Sequence, residues 1–179
     1  MELAIIGLGK MGANMARRLL KGGHRVVGMN RSFEVAQDLA KETALIPART
    51  LEEVVDMVSS PRIIWVMVPS GDPTEAVVQA LTNLLSPGDT IIDGGNTFYQ
   101  DDIRRSAHLR DQGINYVDVG TSGGVWGLSE GYSMMIGGDD QVVSRLTPIF
   151  ETPYTCTRSG VGTYRTRRLT PKVGLKNPF

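Results

Sequence analysis

Apolar and polar positions along this chain switch between two periods, and each switch marks an element. Leu3–Ile6 is a short unbroken apolar run and reads as a strand. Asn14–Lys21 has the spacing of a helix, closed by Gly22-Gly23. Arg25–Met29 is a second short strand. Phe33–Thr43 brings Val35, Ala36, Leu39 and Ala40 onto one helical face, with Ser32 placed to cap it. Thr50-Leu51-Glu52-Glu53 is a capping box that starts a short helix reaching Val58. Arg62–Val68 is almost wholly apolar, as expected of a strand covered on both faces in a parallel sheet. Asp72 as N-cap and Pro73 in the first turn open a helix that runs to about Leu85, where Pro87-Gly88 ends it.

The same alternation continues through the second half. Thr90–Asp93 predicts a fourth strand, Tyr99–Gln112 a charge-rich helix stopped by Gly113, and Ile114–Val119 a fifth strand. A glycine-rich stretch, Gly120–Gly131, precedes a sixth strand at Tyr132–Ile136, a turn at Gly137-Gly138-Asp139 and a helix at Gln141–Phe150. Strands alternating with helices predict an α/β fold, a Rossmann-like doubly wound parallel sheet. In such sheets ligands sit beyond the carboxyl ends of the strands, where the glycine-rich loops of this chain fall.

The first of those loops carries the clearest chemistry. Gly7-Leu8-Gly9-Lys10-Met11-Gly12 lies between the first strand and the first helix. Gly7 permits a tight turn, Gly9 removes a side chain where a pyrophosphate would approach, and Gly12 allows close packing of helix on strand. The helix N-terminus adds free N–H groups and partial positive charge. At the end of the second strand, where NAD sites usually hold a carboxylate on the ribose, this chain has Asn30-Arg31-Ser32. Arg31 can pair with a 2′-phosphate and stack on adenine, and Ser32 can donate a hydroxyl. NADP is therefore the expected cofactor, with NAD as the alternative. Two further loops fall at the same edge. Asp93-Gly94-Gly95-Asn96 puts an amide on a tight turn, and Thr121-Ser122-Gly123-Gly124 offers hydroxyls and exposed N–H groups to a carboxylate or phosphate.

Composition narrows the function classes. The chain has 179 residues, formal charge zero and one cysteine, Cys156. Balanced charge argues against nucleic acid or an anionic membrane as partner. No apolar run approaches a membrane span, and Met1 leads straight into a strand, so a cytoplasmic protein without a signal peptide is expected. A single cysteine leaves neither an internal disulfide nor a cysteine metal cluster, and no metal is expected.

These motifs together resemble the N-terminal part of the 6-phosphogluconate dehydrogenases, in the β-hydroxyacid dehydrogenase superfamily. The resemblance rests on Gly7–Gly12, Asn30-Arg31-Ser32, Ile91–Tyr99 around Asp93-Gly94-Gly95-Asn96, Val119–Gly127 and Gly131–Gly138, and covers residues 1–150. It implies oxidative decarboxylation of 6-phosphogluconate to ribulose 5-phosphate with reduction of NADP. It implies that Asn96 touches nicotinamide ribose and substrate, that Ser122, Gly123 and Gly124 hold the substrate, and that Val68 and Pro69 border the cofactor. A reductase for a small semialdehyde or 3-hydroxy acid is the alternative within the superfamily, and a non-catalytic NADP-binding fragment the alternative outside catalysis.

After Phe150 the resemblance stops. The family's general-base lysine and general-acid glutamate have no counterpart in matching context, so no catalytic residue is assigned; Lys172 and Lys176 do not carry over. The family's helical C-terminal domain, which makes its homo-oligomer, has no match either. Residues 1–150 hold 13 basic and 18 acidic side chains, whereas 151–179 hold 6 basic ones and only Glu151. That segment reads as a basic, irregular tail in which Gly160-Val161-Gly162 is the last echo of the family. A basic arm, a disordered end and a frame-shifted terminus are its three readings, the last favoured because the break falls inside a motif. Elsewhere, His24 and His108 read as surface residues, Trp65 as core, and Trp126 as either site wall or packing. Asp93 and Asp118 read as structural hydrogen-bonders.

Overall fold

Four consecutive apolar side chains buried on both sides of the backbone make β1 (Glu2–Ile6) the centre of the molecule. The structure is a computed structural model and describes residues 1–152 and 165–167. The chain continues as α1 (Lys10–Lys21), β2 (Arg25–Met29), α2 (Phe33–Glu42), β3 (Ile46–Ala48), α3 (Leu51–Met57) and β4 (Ile63–Val66). Then follow α4 (Asp72–Thr82), β5 (Thr90–Asp93), α5 (Tyr99–Arg110), β6 (Asn115–Ser122), a 3-10 turn (Gly124–Trp126), α6 (Gly127–Glu130), β7 (Ser133–Gly137) and α7 (Asp140–Glu151). The last described strand is β8 (Arg165–Arg167).

The eight strands form one sheet in the order β3-β2-β1-β4-β5-β6-β7-β8. The first six run parallel, which is the doubly wound order with its switch point between β1 and β4. β7 runs antiparallel to β6, because the connection 123–132 is too short to cross back over the sheet. β8 runs parallel to β7.

Alternation in the strands sends side chains to two cores. Leu3, Ile5 and Trp65 pack with Met15 and Leu19 of α1 and with Leu146 and Phe150 of α7. Trp65 meets Phe150 edge to face at 5.8 Å, confirming its reading as core. Ala4, Ile6 and Ile64 pack on the other face with Val54, Val78, Leu81 and Leu109 from α3, α4 and α5. Helices therefore cover both faces, and only the strand ends are left for a ligand. Among the described residues no helix is long and apolar enough to cross a membrane, and no group of three or more His, Cys, Asp or Glu could hold a metal ion.

Several elements differ from expectation. α1 begins at Lys10 rather than Asn14, so Gly12 is a helical residue; the low helix propensity of glycine hid that first turn. β3 is not visible in the pattern, being three residues with Pro47 in the middle, a composition only an edge strand tolerates. The N-cap of α4 is Gly71 at φ 88°, and Asp72 is the first helical residue. His24 is not a surface residue: it is 9% exposed and its Nε2 lies 2.8 Å from the Thr152 hydroxyl. Burial lowers its pKa. Arg165–Arg167 forms β8 inside the segment read as irregular; the rest of that segment, with Cys156, Gly160-Val161-Gly162, Lys172 and Lys176, lies outside the described residues.

Candidate functional site

Five loops leave the carboxyl ends of neighbouring strands and form one row. Backbone bonds across the sheet hold them level: Gly7 N–H donates to Met29 O at 2.8 Å, Met67 N–H to Ile6 O at 2.7 Å and Gly94 N–H to Val66 O at 2.8 Å. The row runs from Asn30-Arg31-Ser32 through Gly7–Gly12, Met67–Pro69 and Gly94–Asn96 to Ser122–Gly124. Four strand spacings of about 4.8 Å give it a length of about 19 Å. Its shape suits an elongated ligand laid across the strand ends.

At the glycine turn the three glycines do different things. Gly7 has φ +95°, and a Cβ there would stand 2.5 Å from Met67 O. A Cβ on Gly12 would overlap the Gly7 carbonyl oxygen. A Cβ on Gly9 would meet nothing within 4 Å, so Gly9 borders open space where the N-terminus of α1 points. That terminus has no side-chain cap and no acidic residue in its first turn. The N–H groups of Lys10, Met11 and Gly12 thus have no helical partner and no competing carboxylate, an arrangement that fits a pyrophosphate. Leu8 contributes differently. Its side chain is 3% exposed and belongs to the core, and its N–H donates to Asn30 Oδ1 at 3.0 Å.

That bond ties the glycine turn to the end of β2. Asn30 Nδ2 in turn donates to Ser32 O at 3.2 Å. Ser32 occupies the N-cap of α2, yet its hydroxyl makes no capping bond. Arg31 and Ser32 are both exposed. Val68 and Pro69 stand between the glycine turn and the next loop: a Cβ on Gly7 would touch Val68 Cγ1 at 3.1 Å, and one on Gly95 would touch Val68 O at 2.9 Å.

Asn96 joins the last two loops. It sits at φ 54°, a left-handed conformation that asparagine tolerates better than most residues. Its Oδ1 accepts from Thr121 N–H at 2.8 Å and its Nδ2 donates to Thr121 O at 3.2 Å. The side chain therefore fixes the backbone immediately before Ser122, Gly123 and Gly124. Those residues continue into a loop docked on α1, where Arg18 donates to Leu128 O at 2.9 Å and Gly127 lies against the buried Tyr132 ring. Trp126 is 72% exposed and does not pack against the described residues.

Beneath the Asn96 loop lies a charged network that the sequence pattern did not reveal. Asp93 Oδ1 accepts from Gly95 N–H at 2.9 Å; its Oδ2 accepts from the Thr97 hydroxyl at 3.0 Å, from Arg105 at 3.2 Å and from the Tyr116 hydroxyl at 2.7 Å. Asp93 is thus a structural hydrogen-bonder, as read. Asp102 Oδ1 lies 2.9 Å from the same Tyr116 hydroxyl, and its Oδ2 has no partner. Burial pushes the Asp102 carboxyl up to about 6, against the lowering pull of the Tyr116 bond. Arg105, 2% exposed at its side chain, also pairs with Glu75 at 2.9 Å. The bond from Arg104 holds Glu75 down to about 2. Polar residues at helical spacing gave no sign that Asp102 and Arg105 are buried.

A separate cleft of about 810 Å³, lined by Arg110, Asn115, Asp139 and Arg145 among others, opens at the amino end of β6. It shares no residue with the row.

The comparisons with known proteins follow the same geometry. Residues 2–161 match the NAD binding domain of 6-phosphogluconate dehydrogenase. The chain belongs to that family. The decarboxylating 6-phosphogluconate dehydrogenase of Lactococcus lactis is 40% identical over 153 residues, which cover 84% of this chain and 32% of that protein. The NAD(+)-dependent enzyme of Bacillus subtilis is 39% identical over 151 residues, covering 83% of this chain and 32% of that protein. The Plasmodium falciparum 6-phosphogluconate dehydrogenase, solved in its apo form and with NADP+ and with 6-phosphogluconate, superposes with a TM-score of 0.81 at 25% identity. It is covered over 87% of this chain and 34% of its own. The chain is an NAD(P)-binding oxidoreductase domain that spans about a third of the length of these relatives.

Proposed function

We propose that this domain binds NADP and forms one wall of a site that oxidatively decarboxylates 6-phosphogluconate to ribulose 5-phosphate. The observation that carries the reading is the single row of loops, with an uncapped, acid-free helix N-terminus at its centre and Arg31 and Ser32 at one end. When bound, NADP supplies the acceptor for the hydride that leaves C3 of the sugar acid. The N–H groups of Lys10, Met11 and Gly12 bind the pyrophosphate, and Val68 and Pro69 border the nicotinamide half. The free Nδ2 proton of Asn96 and the Ser122-Gly123-Gly124 backbone orient the sugar acid at the far end. A hydroxyl and N–H groups there suit its anionic carboxylate. The base and acid of the reaction have no matching residues in this chain, so the domain alone is proposed to hold nucleotide without turnover.

Titration of the pure chain with NADPH, followed by nucleotide fluorescence or calorimetry, should show saturable one-to-one binding; no binding would remove the basis of the reading. Turnover of 6-phosphogluconate by the same preparation would overturn the statement that the domain alone is inactive.

A further inference from the structure

The end of the row at Arg31 holds a second guanidinium that periodicity did not bring into view, because it follows the unrecognised strand β3. Met29 and Ala48 are register partners across β2 and β3, so Arg49 emerges beside Asn30. Its guanidinium carbon lies 3.9 Å from the centroid of the Phe33 ring. Phe33 is the first residue of α2, immediately after Ser32. The stacking therefore places a positive charge over the first side chain of α2, one residue after Ser32, whose hydroxyl makes no capping bond.

The surroundings leave that charge available. Arg49 and Arg31 are both exposed, and among the described residues neither guanidinium makes an ion pair. Glu34 stands in the first turn of α2 and Glu53 in the first turn of α3. Glu53 is engaged elsewhere, since its Oε2 accepts from the Arg49 backbone N–H at 2.7 Å. Arg31 and Ser32 immediately precede this ten-residue helix and the Arg49 guanidinium stacks on its first side chain, so two arginines and a hydroxyl flank one exposed helix N-terminus. That combination matches a phosphate dianion, because guanidinium forks and helical N–H groups both donate to its oxygens. Stacking on Phe33 also restricts the Arg49 side chain before any ligand arrives.

We propose that Arg49 is a specificity-determining residue that selects the 2′-phosphorylated nucleotide together with Arg31. The inference rests on the NADP reading above and deepens it. Relatives of similar identity include an NAD(+)-dependent enzyme, so the fold does not settle the preference and side chains at this end must.

The test measures dissociation constants of the chain for adenosine 2′,5′-bisphosphate and for AMP by calorimetry, and for NADPH and NADH by fluorescence. Arg49→Met keeps an apolar stem over Phe33 and removes the charge. It should weaken both 2′-phosphorylated ligands about tenfold, the loss expected for one exposed charge-assisted contact, while AMP and NADH are unchanged. Arg49→Lys should fall between wild type and Arg49→Met. The wild-type preference should shrink with added salt, and the Arg49→Met preference should shrink less. If wild type prefers the 2′-phosphorylated ligands and Arg49→Met keeps the full preference, Arg49 has no part in selection and the NADP reading stands. If wild type shows no preference, the NADP reading itself fails. A variant whose thermal midpoint matches wild type yet loses AMP and NADH equally would show that Arg49 supports the adenosine site in general, which also overturns the proposal.

Discussion

Replacing a glycine inside an ordinary helix by alanine stabilises it by about 1 kcal/mol. At Gly12 the sign should reverse, because the new Cβ would overlap the Gly7 carbonyl oxygen. Overpacking costs of about 1–3 kcal/mol are typical of such contacts. Gly12→Ala should therefore lower the urea midpoint, and an unchanged or raised midpoint would show that the turn relaxes freely. Spacing alone made this glycine legible. The duty of Leu8 was not legible, since only the fold shows its side chain in the core and its N–H on Asn30. Asn96→Asp tests the other end of the row. Aspartate tolerates the same left-handed backbone, so the change isolates the amide. A carboxylate oxygen would then face Thr121 O in place of the Nδ2 donor. Losing that bond and adding repulsion should cost about 1–3 kcal/mol and speed amide exchange at Thr121 and Ser122. Exchange rates equal to wild type would mean the two loops are held together by something else.

Between elements, the decisive contact is α5 against β5 and β6. Its charged sequence suggests a solvated helix, yet Asp102 and Arg105 face Asp93 and Tyr116 across the buried interface. Helical periodicity marks apolar faces and is silent when the buried face is a salt-bridged one, so this support of the Asn96 loop could not be read in advance. It has a pH signature. The Asp102 carboxyl is raised from 3.8 to about 6 by burial, with Asp93 and Asp101 adding to the rise and Tyr116 and Arg105 opposing it. The folded state then holds a proton that the unfolded state has released, so this group's contribution is full below pH 4 and is lost as pH climbs through 6. Glu75 behaves oppositely. Lowered from 4.5 to about 2, it contributes fully above its unfolded value and loses that contribution as pH falls toward 2. Asp102→Asn should flatten the decline in stability between pH 4 and 6 and leave the acid limb from Glu75 in place. Denaturant midpoints measured across pH 2 to 7 check this; a decline as steep as wild type would mean another group titrates there.

At the scale of the whole molecule, alternation of strands and helices made the parallel sheet and its ligand edge legible. It did not make the strand order legible, nor the reversal at β7, which follows from the short connection 123–132. β3 was missed for a related reason: three residues around Pro47 cannot show a period. The same weakness has a use. An open sheet ends in strands whose unpaired N–H and C=O groups invite strands from other molecules, the usual route to edge-to-edge aggregation. At this margin an incoming strand would find only three residues, and the middle one has no N–H to offer. Pro47 therefore guards the sheet against self-association on the side nearest Arg49. Exchanging it for valine would supply the missing donor, so size-exclusion chromatography of Pro47→Val should show more self-association than wild type, and an unchanged profile would mean that this edge is guarded by something else.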